Sequence, residues 1–145
     1  MYTDEIMELN QIWHMLIGEM QVKLSDEKFR LVNELSTTEI SVLRVLDTTP
    51  DVILKDICQR LNMPKSTLTS AVNRLVTKGY VERISTSSDK RAFSLKITEN
   101  GSFVQKRHLE LEHSVLSSLL SGLSQDEVFT LLRILKKTTG GNQNE

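Results

Sequence analysis

With one cysteine, Cys58, the chain cannot close an internal disulfide. A reducing compartment is consistent with that. It has two prolines, Pro50 and Pro64, and each falls where a helix is expected to stop or start. No apolar run is long enough to cross a bilayer. The start is acidic and amphipathic (Asp4, Glu5, Glu8), unlike the basic, apolar start of a secretory signal. Nothing points out of the cytoplasm. Glycine-rich phosphate loops, nucleophile elbows, paired-carboxylate motifs and Cys/His clusters are all missing, so neither an enzyme nor a cofactor is expected.

What the chain does have is 145 residues of ordinary hydrophobic content, enough to bury a real core. Its net charge is -1 and argues for no partner. The distribution of charge is more telling. Residues 52–101 hold nine Lys or Arg against four acids, a net +5, while the flanks carry nine basic and fifteen acidic residues, a net -6. A positive block within a near-neutral protein is the electrostatic footprint of a polyanion reader.

Hydrophobic periodicity gives the elements. Ile6, Leu9, Trp13, Leu16, Met20 and Leu24 recur every three or four residues and predict a long first helix. Ser36-Thr37-Thr38-Glu39 is a capping-box pattern opening a helix with Ile40, Leu43 and Leu46 on one face, closed before Pro50. A third helix puts Leu54, Ile57, Cys58 and Leu61 inward, so Cys58 reads as a buried structural thiol. Pro64 opens a fourth helix with Leu68, Ala71, Val72, Leu75 and Val76 as its buried stripe, and Lys78-Gly79 closes it. Tyr80–Ile84 and Phe93–Ile97 read as strands of a hairpin whose tip runs from Ser85 to Arg91; Ser94 and Lys96 alternate outward. A helix from Phe103 to about Leu120 follows, then Gly122, a second capping box at Ser124–Glu127, and a last amphipathic helix. The expected fold is mainly α with a small β-hairpin wing.

Two helices joined by a short turn are helix-turn-helix geometry. The outward face of the second predicts its use. Lys65 opens it, and removing the buried stripe leaves Ser66, Thr67, Thr69, Ser70, Asn73, Arg74 and Thr77, with no acid anywhere from Pro64 to Tyr80. An ordinary solvated helix carries Glu and Lys instead. Short donors and acceptors suit a helix lying in the major groove of duplex DNA, where Asn pairs with adenine and Arg with guanine or phosphate. Ser88, Lys90 and Arg91 on the hairpin tip supply a second contact, with arginine suited to the narrow minor groove. The competing reading is a protein-interaction module whose basic face docks an acidic partner.

The terminal helices carry more apolar surface than one small core needs. Trp13, Met15, Leu16, Leu116, Leu119, Leu120, Leu131, Leu132 and Leu135 predict a homodimer, which also spaces two reading helices roughly 34 Å apart, or a multiple of it. His108 and His113 stand about 140° apart around a helix and share no face. His108 and Glu112 are i, i+4, but two ligands do not make a metal site, and none is expected.

The stretch from "LSTTEISVLRVL" through "LKDICQRLNMPKSTLTSAVNRLVTKGYVERISTSSDKRAFSLKITENG" resembles the multiple-antibiotic-resistance regulator (MarR) family. "LVTKGYVER" resembles the family's helix exit into the wing, Asp89-Lys90-Arg91 its D-x-R wing signature, and Leu95–Thr98 with Gly101 its strand exit. The resemblance implies a winged helix-turn-helix lobe at 35–101 and a helical dimerisation region from 1–34 and 102–145. It implies a recognition helix bearing Ser66, Thr67, Thr69, Ser70, Asn73 and Arg74. Arg91 would reach the minor groove, with Asp89 orienting it. It also implies a homodimeric repressor on a pseudo-palindromic site, released by a small-molecule effector or by oxidation. Cys58 is not where the family's sensor cysteines lie. An effector cleft would sit between the terminal helices and the DNA-binding lobe, near Trp13 and His14.

Overall fold

The computed structural model describes residues 3–85 and 93–140. The chain divides into two compact units, residues 1–111 and 112–145. The first begins with α1 (Thr3–Leu24), a 3-10 turn (Glu27–Phe29) and α2 (Arg30–Asn33). Then come α3 (Thr37–Thr48), α4 (Leu54–Leu61), α5 (Lys65–Thr77), β1 (Val81–Ser85) and β2 (Phe93–Ile97). Helix α6 (Glu99–Leu120) runs into the second unit, which ends in α7 (Gln125–Thr138).

Helix α3 starts where the capping box places it. Ser36 Oγ accepts the Glu39 N–H at 3.2 Å, and Glu39 Oε2 accepts the Ser36 N–H at 3.4 Å. The chain between α4 and α5 turns through Asn62, held left-handed at φ 48°, a conformation that asparagine tolerates better than most residues. At the far end of α5, Gly79 has φ 76°. There the Tyr80 N–H donates to Leu75 O at 2.9 Å and the Gly79 N–H to Val76 O at 3.0 Å, the double bond pattern that turns a helix end into the next strand. Leu43, Leu46, Ile57, Leu68, Val72, Leu75, Val81 and Leu95 meet in one buried cluster contributed by α3, α4, α5 and both strands. Cys58 is half-buried against it. Helix α5 is seated on this cluster by its apolar stripe, and its opposite face is exposed.

Strands β1 and β2 pair antiparallel, with Val81 opposite Ile97 and Ser85 opposite Phe93. The first strand lies one residue later than the alternation predicted, and Ser94 is buried rather than outward. On its other edge β2 is bridged as well, Leu95 N donating to Val52 O at 2.8 Å, so β2 is an inner strand and not the open edge of a hairpin that the outward reading of Ser94 assumed.

Two further differences are local. The turn and short helix over Glu27–Asn33 escaped the periodicity, which fails over so few residues. They are nevertheless anchored, by Asp26 accepting the Lys28 N–H at 2.9 Å and by buried Phe29 and Val32. Helix α6 begins at Glu99, four residues before the expected Phe103, because Thr98 caps it: Thr98 Oγ1 accepts the Gly101 N–H at 3.1 Å. Gly101 is required there. A Cβ on it would lie 2.1 Å from Tyr80 O, a backbone atom that cannot yield.

In the second unit Ser124 and Glu127 form the second capping box, with Ser124 N donating to Glu127 Oε2 at 2.8 Å. These hydrogen bonds hold the Glu127 carboxyl below the ordinary carboxylate range. Neither α1 nor α7 buries a single residue within the chain. Trp13 is 60% exposed and Phe129 64%. Met15, Leu116, Leu119, Leu132 and Leu135 are exposed as well. Among the described residues, no helix is long and apolar enough to cross a membrane.

Candidate nucleic-acid interface

Helix α5 presents Lys65, Ser66, Thr67, Ser70, Asn73 and Arg74 to solvent. Thr69 is only half-buried, and its hydroxyl is turned back on its own helix, donating to Lys65 O at 2.7 Å. The first turn carries no acid and its N-cap, Pro64, offers no side-chain hydrogen bond. The positive end of the helix dipole therefore stays uncompensated by the protein's own side chains.

Two residues of this face are anchored at their outer ends. Arg74 Nε donates to Glu39 Oε1 at 2.5 Å, and Lys78 Nζ donates to Glu39 Oε2 at 2.9 Å and to Glu34 O at 3.0 Å. Glu39 is 2% exposed and Arg74 51%. Burial pushes the Glu39 carboxyl up. The hydrogen bonds from Arg74 and Lys78, the Lys78 charge and the Ser36 N–H outweigh that and hold it below the ordinary carboxylate range. Arg74 is thus a partly committed cation, tied through one of its five donors. The second anchor is on Asn73, whose Oδ1 accepts from Nη2 of Arg83 on β1. Arg83 in turn lies over the Phe93 ring, 5.5 Å from its centroid.

Sequence reasoning saw Glu39 only as a cap and Arg83 only as one charge of a block. The i, i+4 spacing of Arg74 and Lys78 could have suggested a shared carboxylate, but not which one. Nothing in the spacing marks Arg83. Ser88, Asp89, Lys90 and Arg91, assigned to the wing tip, lie outside the described residues. Trp13 lines a shallow groove on α1 with Ile6, Leu9 and Asn10; His14 is exposed on the same helix and does not line it. His108 is buried, and among the described residues no group of three or more metal-ligating side chains gathers.

The model of the MarR family matches residues 33–92, from the last residue of α2 to the residue before β2. The multiple antibiotic resistance protein MarR of Escherichia coli K12 is 28% identical over 141 residues, 92% of each chain. Over residues 33–92 the chain is similar to the MarR family. A variant of E. coli MarR solved with operator DNA is 27% identical and superposes with a TM-score of 0.66, covering 93% of this chain and 96% of that one. FabT of Streptococcus pneumoniae, solved in complex with DNA, shares the fold at a TM-score of 0.78 and 23% identity, covering 97% and 96%.

Proposed function

We propose that this chain is a DNA-binding transcription regulator of the MarR family, acting in the cytoplasm as a homodimeric, ligand-responsive repressor that reads a pseudo-palindromic operator. Residues 35–101 serve as the DNA-reading lobe, and 1–34 with 102–145 as the dimerisation region. The observation that carries the reading is the outer face of α5. Six exposed residues, Lys65, Ser66, Thr67, Ser70, Asn73 and Arg74, stand on a helix whose opposite stripe buries Leu68, Ala71, Val72 and Leu75, with no carboxylate among them. Such a face approaches base edges and phosphates without steric bulk or charge repulsion. Lys65 and the Nη edge of Arg74 take phosphates, Asn73 takes a base edge, and Lys90 with Arg91 extend the contact from the wing, Asp89 orienting Arg91.

The dimer is supported by the apolar faces of α1 and α7, which exceed what a soluble monomer ordinarily exposes. The effector is proposed to bind beside α1 near Trp13 and His14, supported by the apolar groove at Trp13.

Fluorescence anisotropy with duplex DNA across a salt series tests the reading. Binding should weaken steeply with salt, as counterion release demands. Asn73→Ala should lose discrimination between sequences. Unchanged duplex binding in both Arg74→Ala and Arg91→Ala would overturn it.

A further inference from the structure

The anchored amide of Asn73 says more than that the residue faces outward. A free asparagine turns either its carbonyl or its amino group toward a base, so it can answer an acceptor or a donor. Arginine has donors only. The Asn73 atom facing Arg83 Nη2 is therefore the carbonyl oxygen, and the amino group points away. Arg83 is itself held by the Phe93 ring beneath it, and β1 and β2 are paired along their whole length. On the helix side, the Thr77 hydroxyl donates to the Asn73 carbonyl of the main chain at 3.0 Å.

We infer that Arg83 is a specificity-determining positioning residue: from the hairpin it fixes the polarity of Asn73, so that α5 presents N–H donors at that point. The inference rests on the DNA-reading function proposed above. Its consequence follows from the major-groove code. Guanine offers N7 and O6, thymine O4 and adenine N7 as acceptors, whereas cytosine offers only the N4 amino donor. The position read by Asn73 therefore rejects cytosine above the other bases. Without Arg83 the amide is free to rotate, its oxygen accepts from cytosine N4, and the rejection fades.

The test is competition binding of full-length protein to operator duplexes varied one position at a time in both half-sites. The operator is first obtained by selecting genomic fragments with the wild-type protein. Wild type, Arg83→Met, Asn73→Ala and the double variant are compared, with melting temperatures measured alongside. Wild type should show one position per half-site where cytosine costs about tenfold in affinity. Arg83→Met should reduce that penalty to less than about twofold, and the double variant should match Asn73→Ala in base preference. Should Arg83→Met melt early, Arg83→Gln replaces it; an amide there can accept as well as donate, so Asn73 is again free to turn.

Several results would overturn the inference alone: an unchanged cytosine penalty in the Arg83 variant, no such position in wild type, or additive effects on base preference in the double variant. So would a uniform loss of affinity with a shallower salt slope, which marks a phosphate contact. A wild-type protein that selects no duplex overturns the DNA reading and this inference together.

Discussion

Lys78 Nζ lies 2.9 Å from Glu39 Oε2, so the cation that caps the end of α5 closes on a buried carboxylate at the start of α3. Glu39 accepts from three groups at once, since it also takes Arg74 Nε and completes the cap of its own helix with the Ser36 N–H. Its pKa in the folded state lies below the unfolded value. The carboxylate therefore stabilises the fold above the ordinary carboxylate range, and that contribution fades as pH falls through the lowered pKa. Glu39→Gln should cost about 1–3 kcal/mol at neutral pH, the scale of leaving charged partners of a buried group unsatisfied. The gap between their thermal melts should close across the acid window below the ordinary carboxylate range. A gap that stays constant across that window contradicts the assignment.

Gly101 is held against the Tyr80 carbonyl. Gly101→Ala must move the α6 start away from the β1 entry, where the Thr98 N–H donates to Tyr80 O at 3.0 Å and the Thr98 hydroxyl to Gly79 O at 2.6 Å. Overpacking of this kind costs roughly 1–3 kcal/mol. Chemical denaturation should show a lower midpoint with an unchanged slope. A variant as stable as wild type would mean that this contact is looser than described.

Contacts to phosphate and to bases are separable on α5. Lys65→Ala should weaken binding to all duplexes alike and reduce the salt slope by about one charge. Asn73→Ala should leave that slope nearly unchanged while flattening sequence preference. If the two variants behave alike in a salt series against matched and scrambled duplexes, the division of labour is wrong.

Leu132 is exposed on α7 and Trp13 on α1, so a charge at either is tolerated by the isolated chain. Leu132→Glu or Trp13→Glu should give folded monomers by sedimentation, with normal circular dichroism. Their affinity for the full operator should drop by at least about a hundredfold, because linked half-sites lose their high effective concentration. A dimer surviving both substitutions contradicts the assignment of these faces.

Much of this was legible in the sequence because it depends on local chemistry. The caps at Ser36 and Ser124, the stop at Gly79 and the buried stripe of α5 are short-range patterns, and each appears where the pattern put it. What escaped depends on distant pairing. Ser94 is buried in a strand that Val52, forty-two positions earlier, bridges at the neighbouring Leu95. Arg74 was read as a contact to guanine or phosphate, and its tie to a carboxylate thirty-five positions away was not visible. Arg83 sits in a strand whose alternation gives no hint that its guanidinium reaches Asn73. The polar face was visible from composition, whereas the orientation of its groups required the fold.

Selection of sheared genomic DNA by the purified protein, followed by sequencing, tests the central claim most directly. The account predicts a small set of fragments sharing a pseudo-palindrome with half-sites about one helical turn apart, or a multiple of it, and loss of that enrichment in Asn73→Ala. Fragments recovered without a shared sequence, or the same enrichment from Asn73→Ala, would contradict it.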